Sequence, residues 1–285
     1  MDARPWTRTR GALLLTLMLG LALSWVAQAG ADDRVLLVRD GATVRQYGVP
    51  ELAGAIGLTD LRLAQDPHFG PNRVFTGFAL APLLNYVGLG DAREVLLVCA
   101  DGYRIPFDTS ALSNPKLSGL LAVRDAGLPA EGGTHWLPYR HGAETVSFDP
   151  FYLVWASTEE SGDLSTDALP WPFQLTEIQR FDRDAYFAPA RPPDGSDDAL
   201  LKGFSVYTAH CGKCHRMRGV GGEVGPALDR EGSLSSLLTT DQLRDYIRHD
   251  ESRFPQSKMP QFSKLLRPVD IDQVASYLQA MQPAR

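Results

Sequence analysis

Cysteine is scarce in this chain: 285 residues carry three, with six histidines and five methionines. A zinc site would need more thiols or histidines at ligand spacing than that supply offers. Positive charge is also short. Twenty-eight Lys and Arg face 34 Asp and Glu, for a formal net charge of −6, and no stretch is basic enough to suggest nucleic acid. After residue 30 no run is long and apolar enough to read as a membrane span. There is no internal repeat and no long low-complexity segment. No Ser-His-Asp grouping and no paired-carboxylate motif can be read from the residue order.

The first residues are different. Arg4, Arg8 and Arg10 precede GALLLTLMLGLALSWVAQAG, which ends in Ala27-Gln28-Ala29. A basic start, an apolar run and an A-x-A site make a secretory signal, predicting residues 1–29 as a leader cleaved after Ala29. The apolar run is slightly short of the roughly 20 residues a spanning helix wants. The arginines are not adjacent, so it does not read as a twin-arginine signal. The expected product is exported, periplasmic and soluble, with a membrane association only if the leader is retained as an anchor.

Charge and composition then divide the remainder. Residues 30–190 carry 12 basic and 21 acidic side chains, and residues 191–285 carry 13 and 12. Between them, Ala188–Asp198 is rich in Pro, Gly, Ser and Asp with no apolar period, so residues 188–197 read as a semi-rigid linker. The expectation is a domain over 30–187 and a second over 198–285.

The second domain holds Cys211-Gly212-Lys213-Cys214-His215. Three cysteines in an oxidising compartment suggest one disulfide and one thiol left over, and a Cys211–Cys214 disulfide is one reading. The C-x-x-C-H spacing is, however, the attachment signal for c-type haem: each thiol adds to one vinyl group, and the histidine is held under the iron. A sixth ligand is then needed. Met1 and Met18 leave with the leader, Met217 is too near His215, and Met281 falls on the apolar stripe of a helix. Met259 remains, in a loop before Pro260, which restricts it to extended geometry. His249 and His210 are the alternatives. Asp198–Tyr207 reads as a helix with Leu200, Phe204 and Tyr207 on one face. Thr239 and Gln242 form a capping box before another helix. A last helix opens near Pro268 with Ile271, Val274, Leu278 and Met281 on its apolar face. Gly203 lets the first helix cross closely over Tyr277.

Residues 198–282 resemble a class I cytochrome c. The matching pieces are Gly203-Phe204, Cys211 to His215, Gly225-Pro226-Ala227-Leu228, Met259-Pro260 and Tyr277-Leu278. The resemblance implies one covalent haem c on Cys211 and Cys214, with His215 and Met259 as axial ligands. It also implies that the Pro226 carbonyl accepts a hydrogen bond from the His215 ring. Gly219, Gly221, Gly222 and Gly225 would give a loop able to turn tightly against the haem.

Residues 30–190 look β-rich. Val35–Val38, Val95–Cys99 and Phe151–Trp155 have strand length and composition. Leu80–Tyr86 suits a short helix whose Leu80, Leu83, Leu84 and Val87 share a face. Several pieces resemble the molybdopterin-binding domain of the sulfite oxidase family: Phe75–Gly88, Ala100-Asp101-Gly102-Tyr103, Phe151–Trp155 and Leu169–Phe173. That family binds molybdenum through a cysteine placed before the segment matching Phe75–Gly88, and here Leu58–Gly70 has none. Cys99 comes later and reads as a small buried residue. Arg62, Arg73 and Arg104 are isolated candidates for a pterin phosphate. His68, His135 and His141 lack a second ligand at regular spacing, and Asp101 serves a turn. Molybdopterin is therefore not expected.

The expected fold is α+β in two domains: a mixed, β-rich, sulfite oxidase-like domain, then an all-α cytochrome c domain. The expected function is single-electron transport between redox proteins, such as a periplasmic dehydrogenase or a terminal oxidase. The acidic first domain would dock a partner or a ligand. This makes the chain an oxidoreductase component rather than an enzyme with catalytic residues of its own. The alternative is a molybdenum-dependent oxidoreductase of sulfite oxidase type feeding the fused haem. A haem sensor or peroxidase, or a first domain that binds a small ligand without chemistry, are weaker readings.

Overall fold

Residues 32–129, 133–141, 144–158, 169–253 and 259–282 are described by a computed structural model. The expected leader lies outside them, as does the side chain of His249. Among the described residues are eleven strands and eight α-helices, and all but two of these helices follow the last strand. Three hairpins open the chain: β1 (Val35–Asp40) with β2 (Thr43–Gly48), β3 (Thr59–Asp66) with β4 (Gly70–Ala79), and β5 (Glu94–Cys99) with β6 (Arg104–Asp108). Helix α1 (Val49–Ile56) follows the first and α2 (Leu80–Tyr86) the second. Then come β7 (Leu117–Asp125), the small pair β8 (Tyr139–His141) and β9 (Glu144–Val146), β10 (Tyr152–Ser157) and β11 (Leu175–Phe181). The rest is helical: α3 (Arg183–Phe187), α4 (Asp198–Ala209), α5 (Leu234–Leu237), α6 (Thr240–Arg253), α7 (Phe262–Leu265) and α8 (Pro268–Ala280).

The strands build a five-stranded sheet, ordered β2-β1-β11-β5-β6, and a four-stranded sheet, ordered β10-β7-β4-β3. Only β1 and β11 run parallel in the first; the second is antiparallel throughout. Apolar side chains of both sheets join one buried cluster that includes Leu36, Leu97, Ile178, Phe75, Leu121 and Tyr152. Helix α2 presents Leu80, Leu83, Leu84 and Val87 to it, as their shared face predicts.

Strand β5 explains how the helical region attaches. Successive side chains of a strand point to opposite faces. Val95, Leu97 and Cys99 enter the cluster between the sheets, while Leu96 and Val98 enter a second cluster with the helices. A strand buried on both faces reads as an unbroken apolar run, and Val95-Leu96-Leu97-Val98-Cys99 is one. Phe181 and Phe187 continue the second cluster, and their rings lead to Tyr207 of α4 and Tyr277 of α8 at centroid spacings of 6.3, 6.1 and 5.5 Å in turn. Each fully buried large apolar side chain contributes about 1.5–3 kcal/mol, against about 0–1 kcal/mol for an exposed ion pair. The apolar contact therefore fixes the helices on the sheet. Asp32–Arg285 accordingly forms one compact unit.

The Pro- and Gly-rich stretch expected as a linker is packed at its start. Ala188–Ala190 makes a 3-10 turn, Ala190 is fully buried, and its carbonyl accepts a 2.6 Å bond from the Tyr277 hydroxyl. Composition misleads here because proline and glycine serve ordered turns as well as spacers.

Local signals set the helices. The Asp197 carboxylate accepts the Leu200 amide at the start of α4, the N-cap arrangement that satisfies an otherwise orphan donor. Thr239 and Gln242 form the expected capping box, at 2.9 and 3.3 Å. Pro268 opens α8, whose Ile271, Val274 and Leu278 are buried. Where α4 crosses α8, a Cβ on Gly203 would lie 2.7 Å from Tyr277 Cβ. Gly203→Ala should therefore overpack the crossing and lower stability by about 1–3 kcal/mol. An unchanged thermal unfolding midpoint by circular dichroism would show that the crossing is looser than this.

Candidate cofactor site

Helix α4 ends at Ala209 and runs directly into a 3-10 turn, Cys211–Lys213. The amides of Cys214 and His215 both donate to the Cys211 carbonyl, at 3.1 and 2.8 Å. This turn gathers Cys211, Cys214 and His215 on one wall of a cavity of about 760 Å³. Met259, at a bend before Pro260, lines the same cavity, and so does His210. Of the methionines set aside, Met217 and Met281 are buried in the apolar cluster.

The imidazole of His215 is held on two sides. Its Nδ1 lies 2.8 Å from the Pro226 carbonyl oxygen. A carbonyl only accepts, so Nδ1 carries the proton and Nε2 keeps its lone pair. Burial pulls the His215 pKa down, against a smaller upward pull from the Pro226 bond, so the ring is held neutral. On the other side, a Cβ at position 225 would fall 2.6 Å from Nδ1. Glycine there lets the ring lie flat on the backbone. The loop between turns back through Gly219 and Gly221, both with positive φ, where a side chain would be strained. Its ends are tied by Gly222 N to Gly212 O at 2.8 Å and Gly225 N to Cys214 O at 2.9 Å.

Both thiols are free. Burial, then the neighbouring Cys214, pushes the Cys211 pKa up to about 12; burial, then Asp101, pushes Cys214 up to about 11. No three His, Cys, Asp or Glu side chains group as metal ligands among the described residues. Two neutral thiols, an imidazole with a fixed tautomer and a thioether around one mostly apolar cavity suit a large flat cofactor, and the volume falls in the usual cofactor range of about 300–1,000 Å³.

Sequence reasoning missed the tyrosines that brace this loop. The Tyr207 hydroxyl lies 3.0 and 3.1 Å from the carbonyls of His215 and Val220. The Tyr186 hydroxyl accepts the Gly221 amide at 3.0 Å. It also missed Tyr103, which reaches the cavity from the N-terminal sheet. Tyrosines in apolar stretches read as core, and no local pattern marks which hydroxyl meets a distant carbonyl.

The candidates of the N-terminal region do not converge. Cys99 is buried at the end of β5, where burial raises its pKa. Arg73 pairs with buried Asp125. His135 Nδ1 lies 3.0 Å from Asp149, and the His68 ring sits among those of Tyr139, Phe148, Tyr152 and Phe173. Arg62 is exposed, and the Arg104 Nε is buried without a hydrogen-bond partner among the described residues. Asp101 serves its turn, accepting the Tyr103 amide at 2.9 Å.

The helical region is a cytochrome c domain, which implies haem c and a role in electron transfer. The family model that matches is that of cytochrome c oxidase, cbb3-type, subunit III, over residues 198–278. No curated protein matches the chain. The match begins at the first residue of α4, and the N-terminal strands lie outside it. Among the described residues no helix is long and apolar enough to cross a membrane.

Gly225→Ala should push the His215 ring off its seat by steric contact alone. Covalent haem per chain, read by absorbance, should fall while the N-terminal strands stay folded by circular dichroism. Full haem content with an unaltered spectrum would show that the ring does not need this seat.

Proposed function

We propose that the chain is an exported, periplasmic carrier of single electrons, with one haem c attached through Cys211 and Cys214 and ligated by His215 and Met259. The observation that carries this reading is the placement of all four side chains on one cavity, inside the segment matched as a cytochrome c domain. When bound, haem c supplies reversible one-electron exchange at its iron.

The chain's own residues do the rest. Pro226 fixes the tautomer and angle of His215, the kind of outer support that tunes a metal ligand. Met259 offers a soft thioether, which favours a higher potential than a second imidazole. The apolar wall, with Leu243, Ile247 and Leu278, excludes water. The N-terminal region reads as a sulfite oxidase-like domain without molybdenum. It acts as a fixed platform for the haem domain and as an acidic face that steers a basic redox partner, with rates falling as salt rises.

Replacing Cys211 and Cys214 together with alanine should abolish covalent haem; normal attachment in that variant would sink the assignment. Met259→Ala should remove the thioether-to-iron band at the red end of the ferric spectrum. A band that survives would make another thioether the ligand, and a wild type without the band would move the ligand to His210 or His249. Iron and molybdenum per chain, on protein exported by a host that makes both cofactors, should give one iron and no molybdenum. One of each would replace this reading with a molybdenum oxidoreductase and make Cys99 the ligand to test.

A further inference from the structure

Tyr103 belongs to the N-terminal sheet yet lines the cavity that holds Cys211, Cys214, His215 and Met259. It follows the tight turn between β5 and β6. Three hydrogen bonds stiffen that turn: Tyr103 N to Asp101 Oδ1 at 2.9 Å, Gly102 N to Cys99 O at 3.0 Å, and Cys99 N to Tyr103 O at 2.9 Å. A fourth fastens it to the helical region, since the Glu223 amide donates to the Gly102 carbonyl at 2.9 Å. Glu223 lies in the glycine loop, two residues before Gly225, whose own amide donates to Cys214 O at 2.9 Å. Tyr103 and Cys214 are thus set by one run of backbone hydrogen bonds. The residue is partly buried, and burial, followed by Cys214, raises its pKa, so it presents an uncharged ring to the cavity.

We propose that Tyr103 is a haem-contacting residue: its ring closes the Cys214 side of the cavity, so the N-terminal region completes the haem site and helps set its potential. This rests on the haem reading above. It goes beyond the matched cytochrome c segment, which begins at residue 198. The physical reason is solvent exclusion. Water beside a redox centre stabilises the more highly charged oxidised form, so burial of its edge raises the potential. A ring contributed from outside the helices makes that burial depend on the sheet staying docked.

The test uses the full chain, matured with covalent haem, as wild type, Tyr103→Phe and Tyr103→Ala. Covalent haem per chain and the midpoint potential are measured for each. Tyr103→Phe keeps the ring and should match wild type. Tyr103→Ala should lower the midpoint, so that at the wild-type midpoint the reduced-to-oxidised ratio falls about threefold or more, on the one-electron scale of about 59 mV per tenfold. Should the alanine variant not fold, Tyr103→Leu takes its place, with a smaller shift of the same sign expected. A haem-loaded wild type whose folded alanine or leucine variant has the same midpoint overturns the role of Tyr103 alone. A wild type without covalent haem overturns the haem reading, and this inference with it.

Discussion

Leu96 and Val98 point away from the N-terminal core, and this one constraint orders the rest of the molecule. A sheet face carrying such side chains must be covered, and the helices after Phe181 cover it. The cover is specific because it is aromatic: Phe181, Phe187, Tyr207 and Tyr277 pass contact from the sheet to the crossing of α4 and α8. The edge-to-face contacts of Phe181 with Phe187 and of Phe187 with Tyr207 fix relative orientation as well as distance. Tyr207 then converts apolar packing into placement of the site, because its hydroxyl meets the carbonyls of His215 and Val220. The wall that bears both thiols is thereby referred, ring by ring, to a β-sheet outside the cytochrome c segment.

Within the site, burial and hydrogen bonding act in opposite directions on His215, and the balance suits a metal ligand. Desolvation disfavours the imidazolium, while the Pro226 carbonyl holds a proton on Nδ1 without adding a charge. The result is a neutral ring with Nε2 available, which is the form that ligates. The thiols follow the same logic. Burial raises the pKa of both, so desolvation holds them as neutral thiols.

How much of this was legible depends on the range of the interaction. C-x-x-C-H, the Thr239 to Gln242 cap and the period of Ile271, Val274 and Leu278 are local, and each sits where its pattern placed it. Gly203 was legible because a glycine facing an aromatic on a helix implies a close crossing. Val95–Cys99 was legible as a strand, but its unbroken apolar run also said that both faces are buried, and that second message was not used. Tyr103 was out of reach. Its neighbours Asp101 and Gly102 announce a turn, yet nothing in the turn says what the next side chain will meet more than a hundred residues later. The packed start of the supposed linker was hidden for the same reason: the partner of the Ala190 carbonyl is Tyr277.

Electron exchange favours a site that changes little between oxidation states, and the structure supplies fixity at three levels. Backbone bonds close the glycine loop on Gly212 and Cys214. Tyrosine hydroxyls brace that loop, Tyr207 from α4 and Tyr186 from α3. The sheet, in turn, holds α4 through apolar contact. A helical region swinging on a free tether would break the Tyr186 bond and the apolar contact each time it moved, leaving Leu96 and Val98 in water. The arrangement therefore holds the site fixed on the sheet rather than on a free tether.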